Sequence, residues 1–319
     1  MSYLKDRITY PSADGEHTVV AYVYTPAQRE TRAVFQLCHG MCEYILRYEP
    51  FAAFLCSQGI AFAGNDHLGH GETATDAEDL GYTVNAAYMV EDVRTLTGLL
   101  KERFGNGTPF VFAGHSMGSF IARAYLAQYG KSTGIDAAVI IGTAGPGAPT
   151  GAGKALAKLI GAFRGDRHRS KLLRTIAFGS YTKRCPKGSS PAAWISRDEA
   201  LVARYDADPF CNYLFTVRGY IDLFTLLGSV SKKDWAQKVP KDLPIWLTAG
   251  EEDPVGAYGK GVREVFRRLC EAGVTDVTLK LYPEDRHEIL NEFDRETVYA
   301  DMLGFVERVI ESKKDLMNV

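Results

Sequence analysis

Short solid runs of apolar residues alternate along the chain with longer stretches in which apolar side chains recur every three or four positions. The solid runs are AVFQLCHG (33–40), GIAFAGND, PFVFAG, AAVIIG (137–142), PIWLTAG (244–250) and VTLKLY (277–282). Runs this short, with no polar alternation, predict strands buried on both faces. Two more strand-like segments precede them, near residues 7–10 and 18–24. Helical patterns fill the gaps. They are RYEPFAAFLCSQG, the stripe of Val90, Val93, Leu96, Leu99 and Leu100 that Gly105 ends, the stretch after Ser116, residues 260–272, and a last helix over about 292–312. Repeated strand–helix units of this kind predict an α/β fold, a mostly parallel eight-stranded sheet with helices on both faces.

Between about 146 and 239 the alternation stops, and helical stretches are broken by GS, RG and CPKGSSP. No internal repeat or low-complexity linker marks a separate unit. The pattern therefore predicts a core of residues 1–145 and 240–319, with 146–239 inserted as a helical cap. The full 319 residues, 46% hydrophobic, are ample for a large core.

A net charge of −2 argues against a general nucleic-acid binder. The charge is unevenly spread, however. Residues 154–187 carry ten basic side chains (Lys154, Lys158, Arg164, Arg167, Arg169, Lys171, Arg174, Lys183, Arg184 and Lys187) against one acid, Asp166. Such a patch suits a solvated helical face, or attraction to anionic lipid surfaces or phosphate-bearing substrates. The start of the chain lacks the apolar core of a secretory signal, and no run approaches the ~18 apolar residues of a membrane span, so a cytoplasmic protein is expected. Six scattered cysteines suit reduced thiols, and none has zinc-site spacing, so no metal and no cofactor is expected.

The chemistry concentrates at Gly114-His115-Ser116-Met117-Gly118, a G-x-S-x-G pattern between an apolar run and a helical one. In that setting the serine occupies a sharp strand-to-helix turn, exposed above the sheet with a helix N-terminus behind it. A serine hydroxyl needs a base, and the base needs an orienting carboxylate. Asp253 follows the run PIWLTAG and His287 follows VTLKLY, so both stand beyond the carboxyl ends of strands, on the edge where Ser116 emerges. His287 is the only histidine after Asp253, and Ser, Asp, His is the α/β-hydrolase order. An acyl-transfer intermediate also needs two N–H donors. The Met117 amide follows the nucleophile, and Met41 lies in the loop His39-Gly40-Met41-Cys42-Glu43 after the third strand. Gly40 and Cys42 in that loop, with Phe215 and Phe224 in an apolar run of the cap, are expected to touch substrate.

The segments HGMCEYILRYEPFA, NDHLGHGET, GHSMGS, GEEDPVG and RHEILNE, spread over almost the whole chain, resemble the monoacylglycerol lipase and lysophospholipase branch of the α/β-hydrolases, grouped with the serine aminopeptidase-like hydrolases. Tyr44 stands where that family commonly has histidine. The cap phrases RSKLL, FGSY, WISRDE and DPFCNYLFT are similar to those of bacterial lysophospholipase-type members. The resemblance implies a serine hydrolase of lipid-like carboxylic esters. An aminopeptidase or amidase of the same fold is the main alternative, and a non-catalytic binding protein the lesser one. The oligomeric state stays open.

Overall fold

The structure, a computed structural model, describes residues 3–317 except 131 and 148. Met1 and Ser2, part of the start expected to lack a secretory signal, lie outside the described residues. Strands β1 (Tyr3–Pro11), β2 (Thr18–Pro26), β3 (Ala33–Cys38), β4 (Ile60–Asn65), β5 (Phe110–His115), β6 (Ala137–Ile141), β7 (Ile245–Gly250) and β8 (Val277–Tyr282) form one sheet. Their order across it is β1-β2-β4-β3-β5-β6-β7-β8. β1 pairs antiparallel with β2, and β2 antiparallel with β4; every other pairing is parallel. The parallel strands thus deliver all their carboxyl ends to one edge, where ligands of open α/β sheets bind.

Side chains alternate between two apolar layers, as the two-residue period of a strand requires. In β3, Val34 and Cys38 join the layer made with α2 (Ala86–Phe104), α3 (Met117–Tyr129) and α8 (Lys260–Glu271). Phe35 and Leu37 join the opposite layer, with α1 (Glu49–Ser57) and α9 (Arg295–Met317). Helix α2 starts at an Asn85 cap that accepts the Ala87 N–H at 3.0 Å, and it stops at Gly105, whose φ of 88° only glycine adopts freely.

The last helix begins three residues later than its apolar stripe suggests and runs on to Met317. The reason lies at Glu292, whose carboxylate is occupied by the Ser196 hydroxyl and by the N–H groups of Arg197 and Arg286. That leaves residues 289–291 as a short 3-10 turn.

Between β6 and β7 the chain forms α4 (Thr150–Arg164), α5 (Lys171–Phe178), α6 (Glu199–Ala207) and α7 (Val217–Val230), joined by 3-10 turns. Helix α7 packs on α3, α4 and α2, which seats the insertion over the carboxyl edge of the sheet. Among the described residues no helix is long and apolar enough to cross a membrane.

Candidate active site

Ser116 sits between β5 and α3 with φ 54° and ψ −120°, a conformation costing a non-glycine residue about 1–3 kcal/mol. Its N–H donates to the Ile141 carbonyl at 3.0 Å, and its own carbonyl accepts the Ser119 N–H at 2.9 Å. The flanking glycines are obligatory for space. A Cβ on Gly114 would lie 2.2 Å from the Gly118 carbonyl oxygen, and one on Gly118 would lie 2.1 Å from that of Cys38. Helix α3 can approach β3 and β5 this closely only without those side chains. The turn therefore holds Ser116 above the sheet, at the positive end of α3.

Gly40, after β3, backs onto this serine. A Cβ there would stand 3.1 Å from Ser116 Cβ and 2.5 Å from Glu43 Oε1. Met41 and Met117 line one cavity together with Ser116 and His287. Beyond β7, Asp253 is fully buried. Its Oδ1 accepts the Val255 N–H at 2.8 Å, and its Oδ2 lies 2.9 Å from His287 Nδ1. A carboxylate only accepts, so Nδ1 carries a hydrogen, and Nε2 of the neutral ring presents a lone pair. That Nε2 is buried and has no hydrogen-bond partner among the described residues. The ring itself is held between His115, with centroids 4.6 Å apart, and Trp194, at 5.0 Å. The neighbouring acids are occupied elsewhere: Glu252 pairs with Arg184 at 3.0 Å, and Glu251 stands 4.0 Å from Arg263.

Beneath the site lies a buried ionic network that the sequence pattern did not reveal. Arg47 bridges Glu43 at 2.9 Å and Glu288 at 2.8 Å. Glu43 also accepts the Gly40 N–H at 2.5 Å, the Tyr48 hydroxyl at 2.9 Å and His115 Nδ1 at 3.1 Å. Burial opposes the charge on Glu43, but the His115 hydrogen bond and the nearby Arg47 cation outweigh it and hold the carboxyl far below its ordinary range. For His115 burial likewise disfavours the cation, and the bond to Glu43 overrides it, raising its pKa. The network thereby links the Gly40 loop to the residue after His287. Its one local sign in the sequence is the Glu43/Arg47 pair four residues apart in an apolar segment.

His67 and His70 form a buried cluster with His39 behind the same loop. The His67 N–H donates to His39 Nε2 at 3.0 Å, and the His39 and His67 rings lie 4.2 Å apart. Burial holds His39 at about 4 and His70 at about 3, so both are neutral supports near pH 7.

A strap from the cap, residues 193–197, is tied to the loop carrying His287. The Glu288 N–H donates to the Ile195 carbonyl at 2.7 Å, and Arg286 donates to the carbonyls of Ala193 and Ser196 at 2.7 and 3.0 Å. Arg197 reaches down to Asp285, Glu284 and Asp294. Burial and the adjacent Asp294 carboxylate push the Asp285 carboxyl up to about 8.

The cavity over Ser116 holds about 510 Å³. Leu156, Leu223, Phe224 and Leu227 supply apolar wall, and Cys42 lies at its margin. The Cys42 thiol donates to the Tyr213 carbonyl at 3.4 Å, and burial pushes its pKa well up, which leaves it inert. Phe215 departs from expectation: it is fully buried against His70, Tyr213 and Tyr220 and lines no part of the cavity. It falls on the inner side of the segment leading into α7, whereas Phe224 falls on the cavity side.

Comparison with known families brings in a profile described as Hydrolase_4, serine aminopeptidase, S33, which matches residues 29–294. The chain belongs to this family. The S33 chain is 32% identical to a thermostable carboxyl esterase from Bacillus coagulans, solved with glycerol; the match covers 96% of this chain and 99% of that one, with a TM-score of 0.89. It is 28% identical to a monoacylglycerol lipase of Mycolicibacterium smegmatis over 288 residues, 90% of this chain and 92% of that protein. A soluble variant of the monoglyceride lipase from Saccharomyces cerevisiae, 22% identical, shares the fold with a TM-score of 0.77, over 97% of this chain and 96% of that one.

Proposed function

We propose that this S33 chain is a serine hydrolase of lipid-like carboxylic esters, of the monoacylglycerol or lysophospholipid type. The observation that carries the reading is the buried, unpartnered His287 Nε2, fixed through Nδ1 by Asp253 and sharing a cavity with Ser116. Ser116 Oγ attacks the ester carbonyl while His287 Nε2 takes its proton, and Asp253 stabilises the imidazolium. The N–H groups of Met41 and Met117 receive the oxyanion. His287 then protonates the leaving alcohol, and water activated by the same nitrogen releases the acid.

Two observations favour ester over peptide. Relatives that match nearly the whole chain include a carboxyl esterase and a monoacylglycerol lipase. A peptidase acting on a free amino terminus needs an acid to hold its ammonium, and among the described residues both carboxylates lining the cavity, Glu43 and Glu288, are bound by Arg47. Residues 146–239 act in this reading as the cap that shapes the acyl pocket.

The cap also offers a surface for anionic lipid. Leu159, Leu172, Ile176 and Phe163, the last 81% exposed, project from α4 and α5 beside the exposed Lys158, Arg164 and Lys171. The test of the catalytic reading is labelling by a fluorophosphonate together with hydrolysis of aryl esters. Wild type is expected to label and turn over, and S116A to fold and do neither. Labelling of S116A at the wild-type rate refutes the assignment.

A further inference from the structure

Of the ten basic residues in 154–187, Arg174 alone lines the cavity. The others with bonded partners are spent on the surface or on backbone. Arg167 pairs with Asp79, Arg184 with Glu252, and Arg169 donates to the carbonyls of Leu214, Ala77 and Glu78. Arg174 instead donates to Asn212 Oδ1 at 2.9 Å, and among the described residues no carboxylate pairs with it. Asn212 in turn donates to the exposed Asp206 at 2.7 Å, so the nearest acid acts only at one remove.

The place of Arg174 follows from its neighbours. Asn212 precedes Tyr213, whose carbonyl accepts the Cys42 thiol, and Cys42 follows Met41. The guanidinium therefore stands on the wall beside the Gly40 loop, close enough for its positive charge to be felt at the Cys42 thiol and the Tyr220 hydroxyl. The apolar wall, by contrast, comes from Leu156 of α4 and from Leu223, Phe224 and Leu227 of α7. One cavity thus combines hydrocarbon wall for an acyl chain with a half-buried planar cation that has donors to spare.

We infer that Arg174, steadied by Asn212, reads a phosphate on the alcohol portion of the ester, so that the preferred substrates are monoacyl esters of phosphate-bearing alcohols. A guanidinium matches the oxygens of a phosphate in pairs, and outside bulk water such charge-assisted bonds are strong. The acyl C–O bond breaks, His287 returns its proton to the alcohol oxygen, water supplies the hydroxyl of the released acid, and the phosphate stays on the alcohol. This inference rests on the ester-hydrolase reading above.

The experiment compares kcat/KM for monooctanoylglycerol with that for its glycerol phosphate and glycerophosphocholine counterparts, all kept monomeric so that no lipid surface takes part. Wild type is expected to favour the phosphate esters. In R174Q the phosphate-to-neutral ratio is expected to fall by about 10- to 100-fold, the range of a lost charged hydrogen bond. R174K, with the charge but not the fork, is expected to recover part of it. K233Q, at an exposed turn after α7 and outside both the cavity and the basic stretch, controls for general charge and is expected to keep the wild-type ratio. Selective loss on glycerol phosphate alone, or on both phosphate esters, supports the inference and separates a terminal from a bridging phosphate. A ratio that R174Q leaves unchanged, or that K233Q lowers equally, overturns it while the serine-hydrolase reading stands. Turnover that survives in S116A overturns both.

Discussion

Replacing Arg47 by methionine removes one side chain and strands two carboxylates. Glu43 and Glu288 are both almost fully buried, and Arg47 is the cation that bridges them. Breaking a buried pair from one side costs about 3–5 kcal/mol, because the remaining charge has lost its partner without regaining water. At ~2–3 °C per kcal/mol for a chain of this size, the Tm falls by roughly 6–15 °C. The pH dependence distinguishes this cause from lost packing. The folded Glu43 carboxyl titrates below its ordinary value, so its stabilisation is complete above the unfolded carboxylate range and is lost as pH falls through its folded pKa. In R47M, Glu43 takes up a proton at higher pH than in wild type. The gap between the two proteins is therefore largest near neutrality and narrows in acid. Urea or thermal denaturation at several pH values reads it directly. A deficit below ~1 kcal/mol at pH 7.5, or one of equal size across the acid range, refutes the argument.

D253N keeps the bond geometry but reverses a donor, and kcat on an aryl ester is expected to drop by ~10³- to 10⁴-fold with KM little changed; a loss under tenfold counts against the role of Asp253. G118A forces a Cβ to within 2.1 Å of the Cys38 carbonyl oxygen, so denaturation is expected to show a loss of about 3 kcal/mol or more, and wild-type stability would contradict the close approach. L227W fills apolar cavity wall, and a chain-length series of aryl esters is expected to shift toward short acyl groups, whereas an unchanged series places the acyl chain elsewhere.

The sheet and its edge were legible because buried parallel strands are solid apolar runs, and because function in such a sheet gathers at strand ends. Ser116, Asp253 and His287 could be singled out for that reason, and the structure brings Asp253 and His287 into contact and both His287 and Ser116 into one cavity. What lay beyond reach was convergence. Residues 43, 47, 115 and 288 meet in one ionic network, yet only two of them are near in sequence. The side on which an apolar residue faces was equally hidden: Phe215 and Phe224 look alike in the chain, and one is core while the other is wall. The start of α9 went astray for a related reason, since Glu292 is claimed by a cap segment almost a hundred residues earlier.

The ties between residues 193–197 and the His287 loop have a consequence for swapping caps among S33 enzymes. A graft cut at the two ends of the insertion would carry Ile195, Ser196 and Arg197 away from Glu288, Glu292 and Asp285, their partners in the receiving scaffold. The donor's cap would arrive fitted to another loop, and the imidazole would inherit the mismatch. A transplant that moves 284–294 together with the cap keeps the fastening intact. If the cap shapes the acyl pocket as proposed, substrate range in this protein is inherited in two separate pieces of sequence, and drift in either is answerable to the other.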